Sequence, residues 1–533
     1  MNYYCAKTFR FILCSITCMI IQRSVWSQTD KNLTSSSTYN IIQYGAKPDG
    51  KTINTVSIQN AINDCHKNGG GEIIIPAGNF VTGTLRLYSN MNIYFQSGAV
   101  LIGSENDKDY LYQKDFGFTG PGAGVKTGIF VAHGEQNISI TGFGIINGNG
   151  THSMYMDSLQ QGHDFDAKFT RQKEDYMNPK YGREDGPVMW KGSYEERPGV
   201  MAIFSSCKHI MLSNIKFQES PNWTIAFLNS DDLKLTGITI QNNMDIPNSD
   251  GIDFYDSKNI TISDCFINAG DDAIAIVSSS HITASNCVLH SRSCGIRVGY
   301  NVFNNNNSGD LLFNNISIFD SNRGIGIFQR QKGDMKDMTF SNIHISTRLH
   351  SVQWWGHGEP IHISAAPGLG SKECGSIRNI RFSNITANSE SSGIVIYASQ
   401  KNLIRNIYFD NINLSINQSP LEKGYGGNID LRPVNDVALG IFSHSIPALL
   451  AQSVDNLAIN HLNVQWGNGL ASYFNHAVEC DDFGTVTIDG VHEQLAADKK
   501  AGKDATIYLR KGLSAETKNI ASTDKTKKLI VRE

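Results

Sequence analysis

The 533-residue chain carries 49 Gly, 18% charged residues and a formal net charge of −4. Few charges with many Gly and Asn favour a turn-rich β protein over a helical one. A pI of about 6.4 offers no basic field to gather DNA, RNA or an acidic polymer, so no nucleic-acid partner is expected.

Residues 1–27 read as a signal peptide. Lys7 and Arg10 form its basic region, Phe11 to Ile21 an apolar stretch too short to span a bilayer, and Val25 and Ser27 suit a cleavage site that leaves Gln28 first. A short membrane anchor is the rival reading, and Cys14 and Cys18 lack a lipoprotein context. No later apolar run reaches membrane length. Residues 28–533 are therefore expected to form one domain of a secreted or periplasmic protein, a monomer that is off the membrane once the signal is cleaved. Seven cysteines remain: Cys65, Cys207, Cys265, Cys287, Cys294, Cys374 and Cys480. An odd, scattered set without C-x-x-C is neither a disulfide framework nor a zinc site, and most read as small buried hydrophobes.

Within 38–100, expected to hold the N-terminal cap and first rungs, "TINTVSIQNAINDCHKNGGGEIIIPAGNF" has apolar residues at helical spacing from Val56 to Cys65, then a Gly stop and a strand. This predicts a short capping helix over an otherwise exposed sheet edge. Residues 151–197 are polar, irregular and long, the mark of a functional or mobile excursion. Between and beyond them one form recurs: Asn or another polar residue, then alternating β-branched and polar residues. Examples are "NISITGFGI" at 137, "NITISDCFI" at 259, "MTFSNIHIS" at 338 and "NIYFDNINL" at 406, at intervals mostly between 22 and 31 residues. A quasi-period of that size without helical patterns predicts an all-β, single-stranded solenoid, a parallel β-helix whose rungs lie about 4.8 Å apart. A sandwich array would need hairpins at closer spacing. Residues 500–533 read as a C-terminal cap and tail. Several N-x-[ST] sequons in these repeats, among them Asn137, Asn222, Asn259, Asn315, Asn384 and Asn413, fit a stack of tight bends better than glycosylation.

Candidate chemistry lies in "NSDGIDFYDSKNITISDCFINAGDDAIAI", residues 248–276. With rungs near 22 residues, Asp250 and Asp271 fall at nearly equivalent positions, and Asp272 shares the turn of Asp271. Stacking would gather three carboxylates, and like charges that close give a protonated acid beside an ionised base. Glycoside hydrolysis requires that division. Asp-Asp also occurs at Asp231–Asp232 and Asp481–Asp482, so a lone pair signals a turn. The combination of N-S-D-G-I-D, a one-rung interval and G-D-D-A-I-A-I points further.

These motifs resemble those of the polygalacturonases of glycoside hydrolase family 28. "NSDGID" (248–253) is similar to the family's N-T-D motif and "GDDAIAI" (270–276) to its G-D-D motif. "YGAKPDGKTINTVSIQNAI" (44–62), "GFGIINGNG" (142–150), "RPGVMAIFSSCKHI" (197–210) and "ESPNWTIAF" (219–227) fit in order. The resemblance implies a right-handed parallel β-helix and an inverting hydrolase of pectic polymers that needs no metal. It further implies Asp271 as general acid, with Asp250 and Asp272 activating water. Three departures accompany it. Cys294, in "SCGIRVG" (293–299), stands where the family has His. "GIF" (326–328) aligns with its R-I-K motif, so that Gly326 and Phe328 replace Arg and Lys. Glu359, in "WWGHGEP" (354–360), replaces a Tyr.

A thiol cannot do imidazole's hydrogen bonding, though Cys294 could be filler. Phe328 suits stacking on a sugar face. Arg297, Arg323 and Arg330 could supply a charge clamp from new positions, or lie solvated at the surface. Trp354 and Trp355 could be sugar platforms or packing residues. Galacturonan and rhamnogalacturonan-type substrates both fit. Two other classes stay open: a calcium-dependent polysaccharide lyase on the same fold, and a carbohydrate-binding β-helix without catalysis.

Overall fold

Asn, then a β-branched residue, then a polar one: each such repeat makes one extended strand, and successive repeats lie side by side in parallel. The computed structural model describes residues 37–118, 126–156, 188–190, 197–244, 246, 248–300, 306–350, 356–420, 426–496 and 504–533. The expected signal peptide falls outside them, as does most of the 151–197 excursion. Of that excursion, Met154–Met156 pairs antiparallel with Val188–Trp190.

The described strands form a parallel β-helix with two long sheets, of 22 and 14 strands. In the larger sheet the strands alternate buried and exposed residues, as in Ser280–Ser291 and Asp334–Thr347, because one face meets the core and the other meets solvent. The smaller sheet differs. Its strands, for example Ile225–Leu228 and Ile274–Val277, are buried on both faces. Further chain therefore covers its outer side, and this is the sheet beside which the carboxylates lie.

Identical side chains stack from rung to rung inside. Phe313, Phe340, Phe382 and Phe409 form a column with ring centroids 5.2, 5.0 and 5.1 Å apart, and Phe204, Phe227 and Phe254 form another at 5.2 and 5.5 Å. Offset-stacked rings at that separation add to the burial of their area. Helix α1 (Thr55–Lys67) caps the first rungs, burying Ile58, Ala61, Ile62 and Cys65. Val56 stays exposed, so the apolar stripe is one residue narrower than its spacing predicts. Residues 504–533, read from sequence as a cap and tail, continue both sheets instead: Ser514–Ser522 pairs with Thr485–Gln494, and Ile530–Arg532 with Ile507–Arg510. No cysteine is disulfide-bonded among the described residues, and six of the seven are buried.

The sequon asparagines show why Asn recurs. Asn137, Asn259, Asn315 and Asn384 all have φ between 54° and 59°, a left-handed bend that Asn tolerates better than most residues. Each side-chain amide donates to the neighbouring rung: Asn315 to Asn286 at 2.8 Å, Asn384 to Asn342 at 3.0 Å. Asn411 in turn donates to Asn384 at 2.9 Å. Asn384→Ala is expected to lower stability by about 1–3 kcal/mol, losing both ladder bonds and straining the bend. Asn384→Gly should cost less because Gly relieves the backbone. Denaturant midpoints of the two variants check this ordering.

Candidate functional site

Five strands of the smaller sheet set the site: β1 (Ile252–Tyr255), β2 (Ile274–Val277), β3 (Cys294–Gly299), β4 (Arg323–Gln329) and β5 (Ile361–Ala365). Their core-facing residues Ile252, Ile274, Ile296, Ile325 and Ile361 lie in one register. Stepping back two residues from each of the first three places Asp250, Asp272 and Cys294 in one column, and Cys294 pairs with Arg323. Backbone bonds fix this: Gly251 N–H donates to Asp272 at 2.9 Å, and Ala273 N–H to Cys294 at 2.9 Å. Asp272, rather than Asp271, is thus the rung equivalent of Asp250, and Asp271 sits one residue earlier on the same turn. A Cβ on Gly251 would fall on the Ala273 carbonyl and the Ile267 side chain, so only glycine lets these rungs approach.

The three carboxylates meet, with one oxygen from each lying within 4.8 Å of the others. Asp250 and Asp272 are buried and Asp271 is half-exposed. Burial pushes Asp271 up to about 7, and the Asp272 charge adds to the effect. Burial also raises Asp250 well above the usual carboxylate range, with Asp253, Asp271 and Asp272 reinforcing it. One Asp250 oxygen has no hydrogen-bond partner among the described residues. Asp250 and Asp271, this close together, do not lose their protons independently.

Two further residues complete it. Arg297, on the outer face of β3, donates through Nε to Asp272. Asp253, on the outer face of β1, is fully buried and lies 3.9 Å from the Arg297 guanidinium. Asp253 was not singled out from sequence. It lies 44 residues before Arg297 in the same column, through Ala275, so counting two rungs back from Arg297 would have found it.

The other expected site residues are placed differently. Phe328 is 4% exposed, its ring filling the space over Gly326 where any Cβ would collide with it. The two departures from the R-I-K pattern are therefore one packing unit, and the ring is not open to a sugar. The Arg323 and Arg330 guanidiniums lie 5.1 and 5.3 Å from that ring's centre. Arg330, 1% exposed, donates to the carbonyls of Pro433, Ser364 and Leu431 at 2.9–3.0 Å and to the Ser364 hydroxyl at 2.8 Å. Burial and the nearby Arg323 push it down to about 9. Arg323 donates to Glu359 at 3.3 Å and to the Asp430 carbonyl at 2.8 Å. Burial would raise Glu359, but Arg323 and His362 hold it down to about 2. Arg323 and Arg330 thus anchor a strap, residues 428–443, against β4 and β5, with Glu359 and Phe328 packed around the two guanidiniums. Within it Asp430 accepts from the Gly356 N–H at 2.7 Å and pairs with Arg432 at 2.9 Å. Cys294 is buried, and its thiol, pushed up by burial and the Asp272 charge, stays neutral. Trp354 and Trp355 lie outside the described residues.

The family model for glycosyl hydrolases family 28 matches residues 184–423. An exo-poly-α-D-galacturonosidase of Dickeya chrysanthemi is 29% identical over 248 residues, covering 44% of this chain and 41% of that protein. A probable polygalacturonase of Vitis vinifera is 28% identical over 240 residues, covering 44% of this chain and 42% of its own. The chain thus spans about two fifths of the length of these curated relatives. Among solved structures, a family 28 exopolygalacturonase of Yersinia enterocolitica superposes with a TM-score of 0.60 at 20% identity, covering 88% of this chain and 79% of that one. That likeness is one of fold.

Arg330→Met should strip the strap of its buried anchor and leave carbonyls unpaired, at a cost of about 3–5 kcal/mol. The expected signature is a lower melting temperature with new protease cleavage between residues 426 and 446. Cleavage unchanged from wild type would contradict it.

Proposed function

We propose that the chain is a divergent member of glycosyl hydrolases family 28, whose model matches residues 184–423, and that it hydrolyses glycosidic bonds in a pectin-like polysaccharide. The observation that carries this is the meeting of Asp250, Asp271 and Asp272, with their oxygens within 4.8 Å and Asp271 the member that solvent reaches. Asp271 is the general acid. It passes its proton to the glycosidic oxygen as the bond from that oxygen to the anomeric carbon breaks. A water oxygen held beside Asp250 and Asp272 bonds to the anomeric carbon, and its proton passes to the ionised member of that pair. Water is consumed, one bond is cleaved, and no metal or redox partner is required for the balance.

The configuration is proposed to invert, as the family resemblance implies. The carboxyl groups stand closer than the roughly 6.5–9.5 Å usual for inverting pairs. Retention would need an unencumbered carboxylate nucleophile. Asp272 is bound by Arg297 and by the Cys294 N–H at 3.1 Å, and Asp250 is buried.

For the substrate, the two named relatives act on galacturonan. Here Gly326 and Phe328 replace a cationic pair, and Arg323 and Arg330 are spent on the strap. A backbone that alternates acidic with neutral sugars asks for fewer cations at that place, so the rhamnogalacturonan type fits these residues better than plain polygalacturonan. Polymers of this class are met outside the cytoplasm, in keeping with an exported protein.

On a panel of pectic polymers, wild type should release reducing ends without ultraviolet-absorbing products, and faster by about tenfold or more on rhamnogalacturonan than on polygalacturonan, the effect of roughly one lost charge contact. Asp271→Asn should lose about 10²–10⁴-fold in rate while still binding. Unsaturated products would establish a lyase, and binding without turnover a carbohydrate-binding module. Because Asp271 must be protonated to act and its pKa is pushed up to about 7, the rate should fall as pH rises through about 7. A basic limb near 4 would contradict the assignment. Proton NMR of the first product should show the anomer opposite to that of the substrate.

A further inference from the structure

Arg297 is 6% exposed and its donors are turned to the protein. Nε binds Asp272, Nη1 donates to the carbonyls of Gly299 at 2.6 Å and Tyr300 at 3.3 Å, and Nη2 lies 3.9 Å from Asp253. Its Cζ stands 5.7 Å from the centre of the Tyr300 ring. A guanidinium so engaged offers no free edge to grip a substrate carboxylate. It grips a catalytic one. The second oxygen of Asp272 accepts the Cys294 N–H at 3.1 Å, so Asp272 is held on two sides by β3 alone.

We propose that Arg297 is a positioning residue: by holding Asp272 as a buried ion pair it leaves Asp271, and not Asp272, as the carboxyl that carries the transferable proton, and so it fills the place left by the histidine that family members carry at position 294. This rests on the hydrolase reading above. Consecutive buried carboxylates do not both ionise without a neighbouring cation. The groups facing the pair are Asp250, Asp253 and Tyr255 from β1 and its preceding turn, and Ser293, Cys294 and Arg297 from β3 and its turn. Arg323 and Glu359 act on Cys294 from the rungs beyond. Among the described residues Arg297 is the cation in contact with Asp272, and the Cys294 thiol brings no charge. Unlike imidazole, guanidinium does not titrate below about pH 12, so the pair persists where a His-based one would lapse near pH 6.5.

The test is the pH–rate profile of wild type, Arg297→Gln, Arg297→Lys and the double variant Cys294→His/Arg297→Gln on the pectic polymer that wild type cleaves. Removing the cation raises the proton affinity of Asp250, Asp253 and Asp271, which Arg297 lowers. Arg297→Gln should therefore lose about 10- to 100-fold in kcat with KM nearly unchanged, and its optimum should move up by about one pH unit or more. Arg297→Lys should keep the optimum of wild type. The double variant should regain rate below about pH 6.5, where imidazole is charged. A folded Arg297→Gln enzyme with an unmoved optimum would overturn the proposal and leave the hydrolase reading intact. If the Gln variant does not fold, Arg297→Lys decides: an optimum displaced from the wild-type position overturns the proposal. Wild type without hydrolysis on any pectic polymer overturns both.

Discussion

Register between parallel rungs is the constraint on which everything else here depends. Strands about 4.8 Å apart can bond only residue to equivalent residue, and a slip of one would turn every core side chain outward. The Ile column through β1 to β5 and the Phe column of the larger sheet hold that register. Once it is held, Asp250, Asp272 and Cys294 have no choice but to stack, and Asp271 is carried beside them on a tight turn. No loop has to be recruited to assemble the carboxylates. The same repetition that builds the core builds the site.

Such stacking creates an electrostatic difficulty as well as a site. Asp250, Asp253, Asp271 and Asp272 crowd into a region largely shut off from water, where four ionised carboxylates could not persist. Two responses are visible. Burial and mutual repulsion push Asp250, Asp253 and Asp271 towards the protonated form, and Arg297 pairs with Asp272. One rung on, another buried cation, Arg323, meets Glu359 and Asp430, but that network faces the strap and holds chain to chain. The two networks adjoin at Cys294, whose small neutral side chain lies between them. Burial of paired charge is a weak source of stability, and here the two pairs hold the Asp272 carboxylate in place and seat a strap.

Much of the fold was legible in the sequence because a solenoid writes its period directly. Asn at each bend and β-branched residues between bends can be counted, and α1 announces itself by helical spacing and a Gly stop. The three carboxylates were legible for the same reason, although a 21-residue count suggested Asp271 as the partner of Asp250 where the backbone pairs Asp272. Burial imposed from a distance was not legible. Arg323, Arg330 and Phe328 read as exposed or substrate-facing, since nothing local in "RGIGIFQR" tells that residues 428–443, a hundred positions later, will meet the two arginines. Asp253 was hidden differently: it looks like one more polar residue in a strand until two rungs are counted forward to Arg297. Residues 504–533 read as a tail because their Lys-rich composition masked a period that the pairing still obeys.

The central claim is that stacked rungs keep a proton on Asp271 at neutral pH. The most direct measurement is the difference infrared spectrum between wild type and Asp271→Asn, followed across pH in the carboxylic-acid C=O stretching region. A protonated carboxyl band that disappears with the variant, and that titrates near pH 7 in wild type, is the expected result. A band that titrates near pH 4, as an isolated aspartate does, would contradict the account.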